Sequence, residues 1–256
     1  MATYTYDQAW EAERERLAGI ERLWDEGTFA LLERLGVGPG SAVAEVGAGG
    51  GSVVEWLADR VGPGGRVLAT DLYPKHFEHL ARGPVEVRQH DITAEPLPAG
   101  EFDLVHARLL VEHIGFGALP TMCAGLRPGG VLLLEDYDMT CRGFDPEHPD
   151  ADRAVEAVVG LMVSFGFDHA CGRKLPRALE AAGLVDVTAE GRVRVVRSGT
   201  PETAFFRLSV ASVRQQLVAS GRVADAEVDA ALQAMEEPGR TLLSPLMVAC
   251  WGRRAL

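Results

Sequence analysis

Two short apolar runs with a helical stripe between them dominate the pattern of hydrophobic and polar positions. Ala42 to Val46 is apolar except at Glu45 and reads as a buried strand. Val53, Val54, Leu57, Ala58 and Val61 then recur at helical spacing, and Val67 to Ala69 forms a second apolar run that ends at Asp71. Glycines punctuate both joints, at Gly47, Gly49, Gly50 and Gly51 and again at Gly62-Pro63-Gly64-Gly65. This is the strand–loop–helix–strand unit that seeds a doubly wound sheet. Upstream, Tyr6 to Leu35 reads as helix with an apolar stripe at Leu17, Ile20, Leu23 and Trp24, punctuated at Gly27-Thr28 before Phe29, Leu31, Leu32 and Leu35.

Downstream, the pattern predicts a helix near Pro74 to Arg82 and a half-exposed edge strand at Val85 to His90. It goes on to a strand at Glu101 to Ala107, a helix at Gly117 to Leu126 and a continuously apolar strand at Val131 to Leu134. Helices at Asp150 to Phe165 and Leu175 to Ala182 follow, then a long strand at Val185 to Val196. Two helical patterns fill Pro201 to Gly239 before a last strand, Leu242 to Trp251. The expected organisation is a helical arm over 1–36, a sheet core over 37–199, a helical insertion serving as a lid over 200–240, and the last strand of the core over 241–256.

The glycine turn fits the dinucleotide fingerprint G-x-G-x-x-G poorly. From Gly47 the third position falls on Ser52, and from Gly49 it falls on Val54. The chain instead carries Glu45, Gly47, Gly49 and Gly51 in an acidic-x-Gly-x-Gly-x-Gly array. A carboxylate two residues before the first glycine repels a pyrophosphate and suits a ligand with a cationic end. Asp71, at the tip of the second strand, stands where an acidic residue holds ribose hydroxyls. With these residues the chain resembles the class I, Rossmann-like methyltransferases that depend on S-adenosylmethionine. That donor combines an ammonium, a sulfonium, a ribose and an adenine. The F-D-L-V run at Phe102 and the L-R-P-G-G turn at Leu126 to Gly130 are similar to elements of the same family.

The resemblance implies an α/β, doubly wound seven-stranded sheet of order 3-2-1-4-5-7-6 with the last strand antiparallel. It implies a cofactor site at Glu45, Gly47, Ala48, Gly49, Gly51, Asp71, Leu72, Asp91, Ile92, Ala107 and Arg108. Asp91 would accept from the adenine amino group with Ile92 packed nearby, or serve simply as a turn residue. Val111-Glu112-His113 resembles a run in small-molecule methyltransferases. The [DN]-P-P-[YF] signature of amino-methylating DNA enzymes and the Pro-Cys pair of cytosine C5 enzymes are both missing. His113 and then His106 are the candidate general bases, and structural hydrogen bonding is the alternative for each. Tyr6, Trp10, Arg108, Tyr137 and His169 are candidates to touch the acceptor. Arg108 has a second option, pairing with Glu112. The acidic cluster Glu135 to Asp138 would border the pocket.

Composition narrows this picture. The formal charge of −12 disfavours nucleic acid as a partner and leaves a small organic acceptor, in secondary metabolism, on oxygen, nitrogen or carbon. The four cysteines make no C-x-x-C pair and read as reduced thiols of a cytoplasmic protein. His76 and His79 are three apart, but no further ligands complete a site, and no metal is expected. No signal core or transmembrane run is evident, and a monomer or homodimer is expected. Three other functions fit some of these residues: a cyclisation that uses the same cofactor pocket, an NAD(P)-dependent reductase, and a non-catalytic partner subunit.

Overall fold

A computed structural model of the chain describes residues 12–256. In chain order its strands are β1 Ala42–Val46, β2 Arg66–Asp71, β3 Val85–Gln89, β4 Phe102–Arg108, β5 Leu126–Asp138, β6 Gly143–Asp145, β7 Leu184–Arg192, β8 Val195–Arg197, β9 Thr241–Leu243 and β10 Leu246–Arg254. Its α-helices are α1 Glu13–Arg34, α2 Ser52–Val61, α3 Val111–Ile114, α4 Leu119–Gly125, α5 Pro149–Ser164, α6 Cys171–Ala181, α7 Ala204–Ser212, α8 Arg214–Ala219 and α9 Asp225–Ala234. The chain divides into two compact units. Among the described residues, a sheet unit comprises Trp24–Tyr137, Ala170–Arg192 and Met247–Leu256, and a helical unit comprises 12–23, Asp138–His169 and Val193–Leu246. The sequence reading assigns 138–169 to the core, whereas in this division it joins 193–246.

The sheet unit holds a seven-stranded sheet in the order β3-β2-β1-β4-β5-β10-β7, which is the order the resemblance implies. Neighbours from β3 to β5 run parallel, and β10 pairs antiparallel with β7. Register sets which side chains share a face. Val43 lies beside Leu104, and Glu45 lies beside His106. His106 lies beside Leu133, and Arg108 beside Glu135. Alternation then continues Val43 into Glu45, Leu104 into His106 and Arg108, and Leu133 into Glu135 and Tyr137 on one face. Toward the amino ends that face is apolar, and Leu31 and Leu32 of α1 pack there with Val53, Val54 and Leu57 of α2. Toward the carboxyl ends it is polar.

Several local expectations are corrected in this unit. Helix α1 runs unbroken through Gly27-Thr28. Gly27 is not a break: a Cβ there would collide with the Arg192 guanidinium. The segment 74–82 forms two 3₁₀ turns, Pro74–His76 and Glu78–Leu80, in place of one helix. The interruption turns Phe77 inward, fully buried against Gly51. The L-R-P-G-G stretch lies within β5, where the ladder steps from Phe102 opposite Leu126 to Leu104 opposite Val131. Arg127 to Gly130 therefore bulge out of the ladder instead of preceding it.

The helical unit contains a second sheet, the antiparallel β6-β9-β8, which the sequence reading did not foresee. The expected strand 185–196 is divided into β7 and β8, and the expected last strand is divided into β9 and β10. Pro245 provides the second division because it has no N–H to continue a ladder. Beside it, Ser244 is fully buried, and its Oγ accepts from the Arg194 N–H at 3.0 Å. The segment 201–239 carries three α-helices where two patterns were read. α5 packs against α9, closing an apolar core with Phe144, Val158, Leu161, Leu217 and Val228. No described helix is long and apolar enough to cross a membrane.

Candidate active site

The carboxyl ends of β1 and β2 form a backbone cradle. Gly47, Gly49 and Gly51 have φ of 74°, 57° and 91°, a region L side chains rarely adopt. The Gly47 and Ala48 N–H groups donate to the Thr70 carbonyl at 2.8 and 3.0 Å, folding the turn over the end of β2. A Cβ on Gly51 would lie 2.5 Å from the Phe77 Cβ, so packing as well as φ excludes a side chain there. Asp71 ties the two strand ends together. Its Oδ2 accepts from the Gly49 N–H at 3.0 Å and its Oδ1 from the Tyr73 N–H at 2.9 Å. Each of these oxygens keeps a lone pair for a further donor. The cradle fits an uncharged or cationic nucleoside portion, since its rim is backbone and carboxylate with no basic side chain among these contacts.

Around the cradle, Leu72 is exposed, Ala48 is half-buried, and Ile92 and Ala107 are buried. Asp91 forms a turn, accepting at Oδ1 from the Thr93 N–H at 2.9 Å and the Thr93 hydroxyl at 2.6 Å. The Thr93 hydroxyl, ahead of its backbone N–H, lowers the Asp91 carboxyl below its ordinary value. Tyr6 and Trp10 lie outside the described residues.

The polar half of the sheet face holds a buried network. His106 has no solvent exposure, and each ring nitrogen meets a carboxylate. Nδ1 lies 2.6 Å from Glu45 Oε2, and Nε2 lies 3.1 Å from Glu135 Oε2. The Thr28 hydroxyl of α1 donates to the same Glu135 oxygen at 2.6 Å, and Arg192 of β7 donates to the other. Arg108 donates to Thr28 Oγ1 at 2.9 Å and to Asp25 Oδ1 at 2.8 Å. Its expected partner Glu112 is not the one found. Strand alternation directs Arg108 to the face covered by α1, and Glu112 belongs to α3. Beyond this network, the Trp24 indole donates to the Tyr137 hydroxyl at 2.7 Å.

The segment after β4 is pinned by a reciprocal pair of buried carboxylates. The Glu112 N–H donates to Asp136 Oδ1 at 3.1 Å, and the Tyr137 N–H donates to Glu112 Oε2 at 2.8 Å. Leu109, just before, has a φ of 53°, a strained conformation for a branched side chain that these bonds hold in place. Burial pushes the Asp136 carboxyl up to about 7, against the backbone N–H bonds from Glu112, Leu110 and Val111 that favour the ion. His113 is half-buried, its Nε2 3.7 Å from Glu112 Oε1. His169 is exposed and belongs to the helical unit. Asp25, Thr28 and Arg192 were not singled out in the sequence. The signal that would have found the first two is the helical spacing that puts 24, 25, 28, 31 and 32 on one face of α1.

This arrangement, a seven-stranded sheet with a glycine cradle sealed by an acidic residue at the tip of the second strand, defines a class. Residues 43–130 match the family described as a methyltransferase domain. The sheet order around that matched segment is that of the class I, Rossmann-like fold of S-adenosylmethionine-dependent methyltransferases. The chain is 27% identical over 203 residues to methyltransferase str3 of Strobilurus tenacellus, covering 77% of this chain and 70% of the relative. It is 32% identical over 171 residues to a ubiquinone biosynthesis O-methyltransferase of Methylobacterium sp. strain 4-46, covering 62% of this chain and 66% of that protein. Among solved structures, phosphoethanolamine N-methyltransferase 2 of Haemonchus contortus, in complex with phosphomonomethylethanolamine and S-adenosylhomocysteine, superposes with a TM-score of 0.59 at 14% identity. That match covers 94% of this chain and 57% of the other.

Proposed function

We propose that this protein transfers the methyl group of S-adenosylmethionine to a small organic acceptor. The cradle at Gly47, Gly49 and Gly51, closed by Asp71, carries this reading. Asp71 offers its remaining lone pairs to the ribose hydroxyls, Asp91 accepts from the adenine amino group, and Ile92 packs near the ring. Glu45 supplies the negative charge that suits the cationic amino-acid end of the donor. When bound, the sulfonium supplies an activated methyl group and leaves as a neutral thioether. The chain's own contribution is alignment and exclusion of water. For an acceptor that must lose a proton, His113 is the base, because its ring is half-buried while both nitrogens of His106 are engaged. The acidic surface and the missing DNA-methylating signature support an acceptor from secondary metabolism rather than a nucleic acid.

Calorimetry with S-adenosylhomocysteine tests the reading directly. The protein is expected to bind it and to ignore NAD(P). Asp71→Ala is expected to weaken binding at least about tenfold while the thermal transition survives, the scale of a lost hydrogen bond to a charged group. Absence of binding by the unmodified protein sinks the proposal.

A further inference from the structure

The acid of the first glycine motif does not stand alone. Glu45 is buried, and its Oε2 lies 2.6 Å from a histidine that is itself fully buried. The other nitrogen of that histidine meets Glu135, whose two oxygens are held by Thr28 and Arg192. The groups facing the imidazole thus come from every element packed on it: Glu45 from β1, Glu135 from β5, with Thr28 of α1 and Arg192 of β7 behind Glu135. Asp136 acts on it from the next position along β5. A ring nitrogen that carries hydrogen donates to the carboxylate it faces, Glu45 at Nδ1 and Glu135 at Nε2. A carboxylate in β1 left to itself has several rotamers. One with a short charge-assisted bond has its direction fixed.

We propose that His106 is a positioning residue for cofactor binding. Its Nδ1–H fixes the orientation of Glu45, and Glu135 in turn fixes His106. Glu45 is thereby presented to the cationic end of the donor through its second oxygen, Oε1, without a reorganisation cost when the donor arrives. This rests on the reading that the glycine cradle seats the nucleoside donor. It assigns His106 to that half of the chemistry and not to proton abstraction from the acceptor.

A double-mutant cycle separates this role from a purely structural one. Dissociation constants for S-adenosylmethionine and S-adenosylhomocysteine are measured by calorimetry for the unmodified protein, Glu45→Gln, His106→Leu and the double variant, with circular dichroism and thermal melts as the check on folding. His106→Leu is expected to weaken binding by about tenfold, the loss from one charge-assisted hydrogen bond. In the Glu45→Gln background the same change is expected to cost nothing more, because the residue it acts through is already neutral. His106→Gln, which keeps two amide hydrogens at the site, is expected to restore most of the affinity, and it replaces the leucine variant in the cycle if that one does not fold. Equal losses from His106 variants in both backgrounds, or unchanged affinity, overturn the assignment. Failure of the unmodified protein to bind either ligand overturns the cradle reading instead.

Discussion

The two halves of the seam between α1 and the sheet are built on opposite principles. Toward the amino ends of the strands, Leu31 and Leu32 pack on Val43, Leu104 and Leu133, and the contact is apolar. Toward the carboxyl ends, one or two turns back along the same helix, Trp24, Asp25 and Thr28 meet Tyr137, Arg108 and Glu135 through hydrogen bonds. The first half draws its strength from burial, which is non-directional and tolerant of small shifts. The second gains little net stability from its bonds but is costly to leave half-made, so it specifies geometry. The change falls where the strands approach the glycine cradle, so directional contacts stand where position matters most.

Substitutions break this contrast in graded steps. Glu135→Ala has the largest expected effect, about 3–5 kcal/mol of stability, because Arg192 loses its buried counter-charge and Thr28 and His106 lose a buried hydrogen-bond partner. Urea unfolding measures it, and the folded fraction is also expected to bind S-adenosylhomocysteine more weakly. Leu32→Ala, at a position with no exposure, is expected to cost about 2–5 kcal/mol in the same assay through the cavity it leaves. Here the dissociation constant of the folded fraction should stay put, and a shift in it would erase the distinction between the halves. Thr28→Val keeps the shape but removes the donor to Glu135 and the acceptor for Arg108, for about 1–3 kcal/mol. Asp25→Asn is the mildest, about 1 kcal/mol, since an amide oxygen can still accept from Arg108 and the site is partly wet.

The same contrast explains what the sequence discloses. The β1–turn–α2–β2 unit is readable because its signals are local: glycines at positive φ, an apolar stripe at helical spacing, an acid at a strand tip. The strand order follows from the resemblance those signals carry. Contacts set by register across strands are not readable in that way. Nothing near Glu45 or His106 in the chain says that they touch, and the touch exists because β1 and β4 pair with those two positions abreast. The second sheet escaped for a related reason. Its strands Gly143–Asp145, Val195–Arg197 and Thr241–Leu243 are too short to show a period, and they find partners far along the chain. Gly27-Thr28 reads as punctuation by composition, yet both residues serve the polar seam in the middle of a helix.

Gly27 has a consequence for how this protein tolerates change. A glycine in mid-helix ordinarily invites replacement by alanine, at a gain of about 1 kcal/mol. Here the added methyl meets the guanidinium of Arg192, so the usual improvement becomes a clash. Shortening that arginine would vacate the space but strip Glu135 of its cation. The helix position, the distant strand position and the carboxylate between them are therefore epistatic: an alanine at 27 requires the flexible guanidinium end of Arg192 to shift, and that shift is felt at Glu135.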